Sequence, residues 1–329
     1  MFDVITFGSA VRDLFVKSKN FKALKDKRFI TGQGLCLDLG SKIKVDELFF
    51  STGGGGTNSA ATFNKQGFKT AYVGRIGDDP GGVTIKEELD KLGIKSFLTI
   101  DKNKNTPHSI VLSVSARGRT ILVYRGASHE LEKKDIPFSK LKTKWFYISG
   151  LSGKSAKTLL PIVNFAKKNQ IKVALDPSSS QLNMGLKKLR PVLSKLNVFK
   201  LNNEEAARLV GLPYNKEKEI FKKLDKYVPG IVVMTKGPKG VVASDGKYIY
   251  QAGIFKEKRH VDRTGAGDAF GSGFVAGLIH TNKIEQAIRL GTANGTSIVE
   301  HFGAKNGILT RTQFKDKQWK GLKITKTKL

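Results

Sequence analysis

The sequence predicts an α/β fold, with a mostly parallel central sheet layered between helices and a small β-sheet attached to it. Three observations predict it. Short apolar runs alternate with helix-length segments along most of the 329 residues. Two glycine-rich loops, near residues 53 and 265, each lead into a helix-like stretch. Two regions of extended pattern interrupt the alternation.

Val4 to Phe7 reads as the first strand and runs into Gly8-Ser9-Ala10-Val11-Arg12-Asp13. A helix follows Gly56 and stops at Gly67, a strand follows over Thr70 to Val73, and a helix lies around Val83 to Leu92. Further on come Trp145 to Ile148, a helix from Ala156 to Lys168, Val173 to Leu175, Val198 to Leu201, a helix from Glu204 to Val210, and Ile231 to Thr235. Two long helices close the series. In the first, Phe270, Phe274 and Leu278 recur every four residues while Gly271, Gly273, Ala276 and Gly277 allow close packing, so one face is expected in the core. The interruptions are Lys42 to Ser51, which reads as extended, and Ser109 to Val114 with Thr120 to Tyr124, which flank Ala116-Arg117-Gly118-Arg119 as a hairpin.

Hydrophobic residues make up 39% of the chain, enough for a sizeable core. The lone Cys36 excludes an internal disulfide, and Met1-Phe2-Asp3-Val4-Ile5-Thr6-Phe7-Gly8 reads as a strand, not as a signal peptide. No apolar run approaches the ~20 residues that span a bilayer. A cytoplasmic setting and no membrane partner are expected. Lys and Arg number 58 against 28 acidic residues, a formal charge of +30. That charge suits nucleic-acid binding, steering of an anionic substrate, or a lysine-rich solvated surface, and the even spread of lysines favours the last. The densest runs are Lys17 to Arg28 and Lys315 to Lys328.

Asp262-Arg263-Thr264-Gly265-Ala266-Gly267-Asp268 combines a backbone anion cradle at a helix start with a carboxylate able to take a proton, an arrangement suited to phosphoryl transfer. A capped glycine turn is the plainer alternative. Gly53-Gly54-Gly55-Gly56-Thr57-Asn58 forms a second such loop with a polar residue at its mouth. Gly150-Leu151-Ser152-Gly153-Lys154-Ser155 is two residues short of a P-loop, no Gly-x-Gly-x-x-Gly fingerprint occurs in the tract at 53–56, and the five histidines lack metal-ligand spacing.

With Asn202-Asn203-Glu204-Glu205 and Thr235-Lys236-Gly237-Pro238-Lys239-Gly240 lying in order between these two loops, the chain resembles the ribokinase-like, or PfkB, family of carbohydrate and nucleoside kinases over nearly its whole length. The resemblance implies a ribokinase-like three-layer α/β/α fold. Its core would span about residues 1–11, 53–94 and 127–329, and its discontinuous β-lid about 12–52 and 95–126. It implies ATP with Mg2+ as cofactor, and an acceptor that is a small sugar such as ribose or fructose, phosphorylated on its primary hydroxyl.

The same resemblance makes Asp268 the general base, with Gly265, Ala266 and Gly267 as the anion hole. It places Asp13, Gly54 and Asn58 against the sugar, and Thr235, Gly237, Gly240, Asn294 and Gly303 against the nucleotide, with adenine near Asn294 and His301-Phe302-Gly303-Ala304. Asn202 and Glu205 would hold magnesium through water, or alternatively cap a helix. Asp262 and Thr264 match a monovalent-cation site, for K+. A homodimer through the lid occurs in some relatives.

Two departures qualify the acceptor: Gly55 stands where ribose-specific and sugar-phosphate-specific relatives often carry Lys, and Arg263 where the motif is more often small. Tyr124-Arg125-Gly126-Ala127 is open to an acidic sugar, a base or the lid surface. A nucleoside kinase is the first alternative, and a nucleic-acid-binding protein on a kinase fold the second. A β-branched residue at position 265 is expected to harm rate more than fold.

Overall fold

The computed structural model describes residues 1–29, 31–114 and 118–329. Ala116 and Arg117, expected at the tip of the hairpin, lie outside the described residues. In chain order the first half comprises β1 (Phe2–Phe7), β2 (Val11–Lys17), β3 (Lys22–Lys25), β4 (Gln33–Cys36), β5 (Glu47–Gly53), α1 (Gly55–Lys65), β6 (Thr70–Gly77), α2 (Pro80–Lys91), β7 (Lys95–Asp101), β8 (His108–Ser113), β9 (Arg119–Tyr124) and β10 (Thr143–Ile148). The second half comprises α3 (Leu159–Lys168), β11 (Lys172–Leu175), α4 (Ser179–Leu182), α5 (Gly185–Leu193), β12 (Val198–Asn202), α6 (Asn203–Val210), α7 (Glu217–Asp225), β13 (Ile231–Thr235), β14 (Val241–Ser244), β15 (Tyr248–Ala252), α8 (Ala266–Thr281), α9 (Ile284–Val299) and β16 (Ile324–Lys328).

Among the described residues the main sheet has ten strands in the order β16-β15-β14-β13-β12-β11-β10-β1-β6-β7. From β13 to β7 neighbours pair in parallel, and β14, β15 and β16 add antiparallel strands at one edge. Strand residues alternate between two cores, as the pleat requires. Ile5, Phe7, Phe146, Ile148, Val173, Leu175, Phe199 and Leu201 pack with Ile162 of α3, Leu189 of α5, Leu209 of α6 and Ile220 of α7. Val4, Trp145, Tyr147, Ala174, Val198 and Val233 face the other way, against Phe63 of α1, Phe274 of α8 and Ile288 of α9. Two helical layers therefore cover both sides of the sheet.

The small sheet runs β5-β2-β8-β9, with β3 and β4 paired beside it as a separate two-stranded ribbon. One expected boundary moves: residues 95–101, assigned to the lid, form β7, paired in parallel with β6 at the edge of the main sheet, and the chain reaches the lid only at His108. Of the extended stretch predicted from Lys42, only the part from Glu47 is strand. The helix predicted from Ala156 is a 3-10 turn up to Thr158 and α-helical from Leu159, where Pro161 fits because a first-turn proline forgoes no intrahelical hydrogen bond.

Helix α8 departs further from expectation. Every residue from Ala269 to Leu278 is buried, not one face alone. Its glycine side lies directly on α9, where a Cβ at Gly277 would come within 2.7 Å of the Ala287 backbone.

Candidate functional site

Parallel pairing puts one end of the sheet at a common level. Phe7 pairs with Ile148, Ile148 with Leu175, and Leu175 with Phe199, so the next residues along, Gly8, Ser149, Asp176 and Lys200, form a row just past the carboxyl ends of β1, β10 and β11 and within β12. These are the ends over which ligands bind in open α/β sheets. Strand alternation aims Ser149, Asp176 and Lys200 to the face carrying α1 and α8. Lys200 Nζ bonds both Asp176 oxygens, at 3.1 and 3.0 Å.

The N-termini of α1 and α8 converge over this row. Gly54 precedes α1 with φ 95°, and any Cβ there would collide with the Ser9 carbonyl. Gly265 precedes α8 with φ 79° and its Cβ would lie 2.6 Å from the Ala304 Cβ. A β-branched residue at 265 would therefore strain the backbone and overlap Ala304, so the expectation that it spares the fold is corrected. Gly55 is equally closed to a side chain, because Ser149 Oγ occupies the place of its Cβ.

Asp268, in the first turn of α8, accepts a hydrogen bond at Oδ2 from Asn58 Nδ2 at 2.8 Å, and Asn58 Oδ1 is buried with no partner among the described residues. Burial raises the Asp268 carboxyl above its ordinary range, against the lowering effects of the Asn58 bond and the Lys200 charge. Asp13, on β2 of the small sheet, is buried, and burial pushes its carboxyl up to about 6 against the pull of Ser109 and Lys305. Burial also pushes Asp176 up to about 6, although Lys200 opposes it. Burial works against the Lys200 charge as well, but the Asp176 carboxylate outweighs it and the ammonium's pKa is raised.

Two cavities meet at Gly267. One, of about 610 Å³, is lined by Thr235, Gly237, Pro238 and Gly240 after β13, by Ile254 and His260, by Ala266, Gly267 and Phe270 of α8, and by Thr292, Gly295, Thr296 and Val299 of α9. The other, of about 360 Å³, is lined by Gly55, Ser149, Asp176, Lys200, Gly267 and Asp268, together with Arg125, His129, Ser152 and Ser178 to Ser180. His129 Nε2 pairs with Ser152 Oγ at 2.7 Å.

Asn294 and Gly303 do not join the first cavity. Asn294 is fully buried, donating to the Ala269 carbonyl and accepting from the Leu309 N–H, so it ties α8 and the following loop to α9. Gly303 packs against Ser51, and Phe302 stacks on Phe49 with ring centroids 5.4 Å apart. The loop expected to flank adenine is thus a seat for the lid. Asn202 and Glu205 form a reciprocal capping box on α6, each side chain accepting from the other's backbone N–H at 2.8 Å. Asp262 Oδ1 accepts from Thr264 and is ion-paired with Arg119 of lid strand β9, which also donates to Thr264 Oγ1 at 2.8 Å.

Sequence reasoning passed over Ser149, Asp176, Lys200 and His129. Their signal lies in strand register: Ser149 and Asp176 sit one residue beyond a strand, Lys200 lies within β12, and His129 is in a short turn. Arg125 was noted only as open in role. Lys305 was also missed; it is buried and donates to Thr52 of β5 at 2.7 Å and to Glu88 of α2 at 2.6 Å, joining lid to core.

Residues 1–311 match the family model described as pfkB family carbohydrate kinase. The chain belongs to that family. It is 29% identical over 279 residues to the ribokinase of Haemophilus influenzae, covering 79% of this chain and 85% of the relative. It is 26% identical to the adenosine kinase of Schizosaccharomyces pombe, covering 77% and 81%. In structure it is similar to Arabidopsis thaliana ribokinase complexed with ribose and ATP, with a TM-score of 0.77, 23% identity and coverage of 97% and 99%. This family member is a kinase, a transferase with an alcohol-group acceptor of the carbohydrate or nucleoside class. Among the described residues no helix is long and apolar enough to cross a membrane.

Proposed function

We propose that this pfkB-family chain is an ATP-dependent sugar kinase that transfers the γ-phosphoryl group to the primary hydroxyl of a small, ribose- or fructose-like sugar. The observation that carries this is Gly267, which lines both cavities, with Asp268 in the next position on the side of the smaller one. ATP occupies the larger, mostly apolar-walled cavity with its phosphates toward the start of α8. There the N–H groups of Gly267 and Asp268, which have no intrahelical acceptor, receive the oxyanions, while the Ala266 N–H already donates to the Arg263 carbonyl at 3.2 Å. The sugar occupies the smaller cavity, and Asp268 takes its proton. The residues expected against the sugar, Asp13, Gly54 and Asn58, do not line that cavity, so in this arrangement Asn58 acts on the acceptor through Asp268, which it fixes through Nδ2.

Magnesium fits the site only through water: among the described residues no group of three or more His, Cys, Asp or Glu is placed to hold a metal. Glu205, bonded through one carboxylate oxygen to the α6 cap, would hold it through its other oxygen and water. The ion would supply charge neutralisation for the phosphates. Beside Asp262 the Arg119 guanidinium already meets Oδ1, which leaves K+ only the buried, unpartnered Oδ2 of that carboxylate.

The polar lining of the smaller cavity, with serines at 149, 152 and 178–180, favours a sugar over the apolar base pocket that a nucleoside kinase needs. A homodimer through the lid would use β9, an edge strand exposed along its length and carrying Ile121, Leu122 and Val123. A cytoplasmic location accords with ATP as donor. ADP release from Mg-ATP across pentoses, hexoses, sugar acids and nucleosides tests the reading. Turnover confined to sugars supports it, and turnover confined to nucleosides replaces it. Silence throughout, together with salt-sensitive RNA binding indifferent to Asp268→Asn, would overturn it.

A further inference from the structure

We propose that Lys200 is a catalytic residue, whose ammonium binds the oxygens of the phosphoryl group as that group passes Gly267 from one cavity to the other. The inference rests on the kinase reading above and goes beyond it, since Lys200 belongs to no glycine-rich motif. Three observations lead to it. A Cβ at Gly267 would lie 3.4 Å from Lys200 Nζ, so the ammonium stands at the residue that both cavities share. An ammonium has three N–H donors, and among the described residues Nζ bonds only the two oxygens of Asp176, which leaves one donor free on the wall of the smaller cavity.

The third observation is one of charge. Despite a formal +30 for the whole chain, the site gathers Asp13, Asp176, Asp262 and Asp268 around a reaction between polyanions. Of the cations around them, Arg119 is spent on Asp262 and Lys305 on Glu88. Arg125 lines the smaller cavity and Arg263 the larger. Lys200 lines the cavity beside Asp268 and also stands at Gly267, where the two cavities share a wall. A buried ion pair is weak evidence of stabilisation, because an apolar pair of the same volume commonly serves as well. The lysine's place in the cavity wall gives it a use that its bond to Asp176 does not.

In the transfer, the acceptor oxygen forms a bond to the γ-phosphorus, and the bond from that phosphorus to the β–γ bridging oxygen breaks. Its electron pair leaves with ADP, and the acceptor proton passes to Asp268. Charge spread over the three equatorial oxygens is stabilised by donors already in place, and Lys200 supplies one that carries a full positive charge.

The test is equilibrium binding of ADP and of the β,γ-methylene analogue of ATP, with magnesium, to the full chain and to Lys200→Met, Asp176→Asn and the double variant. The double variant removes both buried charges and so guards against misfolding of Lys200→Met alone. Losing a charge-assisted bond to the γ-phosphoryl should weaken the analogue about 10- to 100-fold in both lysine variants. ADP should bind within about twofold of native, Asp176→Asn should keep the preference for the analogue, and kcat should fall with little change in acceptor KM. Equal binding of both nucleotides by the double variant and the native chain, with native kcat, would show the pair to be structural and overturn the proposal. Equal weakening of ADP and the analogue would also overturn it, by removing the γ-phosphoryl from the contact. If the native chain binds neither nucleotide, the kinase reading itself fails and takes the inference with it.

Discussion

The two cavities on either side of Gly267 are built by different means. The larger is walled by whole elements: two long helices and the turn after β13 present backbone and apolar surface, and no single side chain dominates. The smaller is walled by single polar residues: Ser149 and Asp176 past the ends of β10 and β11, Lys200 within β12, Asp268 of α8, and Arg125, His129 and several serines from the connecting turns. On the reading proposed above, a nucleotide common to many kinases is met by architecture, and an acceptor that varies among them is met by point positions. The first side should therefore tolerate side-chain changes that leave its volume intact, whereas the second should respond to single atoms.

The largest effect expected is on the acceptor side. Asp268→Asn changes one atom, and turnover should fall by ~10²–10⁴ while ADP affinity stays at its native value. Near-native turnover would remove Asp268 as the base. In the native chain, kcat/KM for the acceptor should decline as pH falls toward about 6, where Asp13 takes up its proton, and the Asp268 carboxyl, raised by burial, should be lost as a base at a higher pH than an ordinary aspartate. A flat profile from neutrality to pH 5 would contradict those ionisations.

On the nucleotide side it takes volume to do harm. A Cβ on Gly295 meets its nearest neighbours at 3.5 Å, ordinary contact, but the longer side chain of Gly295→Leu enters the cavity. KM for ATP should rise about tenfold or more with acceptor KM unchanged, and steady-state kinetics with each substrate varied in turn separates the two. A smaller effect is expected at the lid: Arg119→Met breaks the contact to Asp262, a partly exposed pair, and should raise acceptor KM only about two- to fivefold. With Arg119 present, exchanging NaCl for KCl should leave turnover unchanged; stimulation by KCl would mean that the arginine does not fill the role of the cation.

The smallest effect concerns stability. Because Asp13 has a folded-state pKa of about 6, above its unfolded value of 3.8, the folded chain binds more protons between those limits, and the residue's contribution to stability falls as pH rises through them. Asp13→Asn should thus raise the melting temperature at pH 7 by a few degrees. That gain should shrink as pH falls below about 6 and vanish below about 4, as followed by thermal unfolding. Loss of acceptor binding should accompany it.

The same contrast explains how much could be read in advance. Motif loops announce themselves because glycine is required where φ is positive or a backbone approaches closely, and so Gly54, Gly265 and the start of α8 were legible in the chain. Gly237 and Gly240 stood out for the same reason, and with Thr235 they line the larger cavity. Asn294 was misassigned because an asparagine in a helix near a site looks the same whether it reaches the ligand or, as here, locks two backbones together. Asp176 and Lys200 were invisible because what makes them neighbours is the pairing of β11 with β12, a property of no local window. The strand Lys95–Asp101 was placed in the lid because an edge strand, partly exposed, carries the same alternation wherever it pairs.

Burial of α8 on all sides has a mechanical consequence. A helix wedged between the sheet, α1 and α9, with glycines pressed against its neighbour, has nowhere to travel. Whatever motion accompanies a catalytic cycle must belong to the other partner, the lid that bears Asp13 and Arg119 and rests on the loop at Phe302. If Asp268 is the base, as proposed, it is an anvil, and the acceptor is carried to it. Such a division lets the moving sheet change its contacts and its timing while the point at which the proton leaves stays where it is.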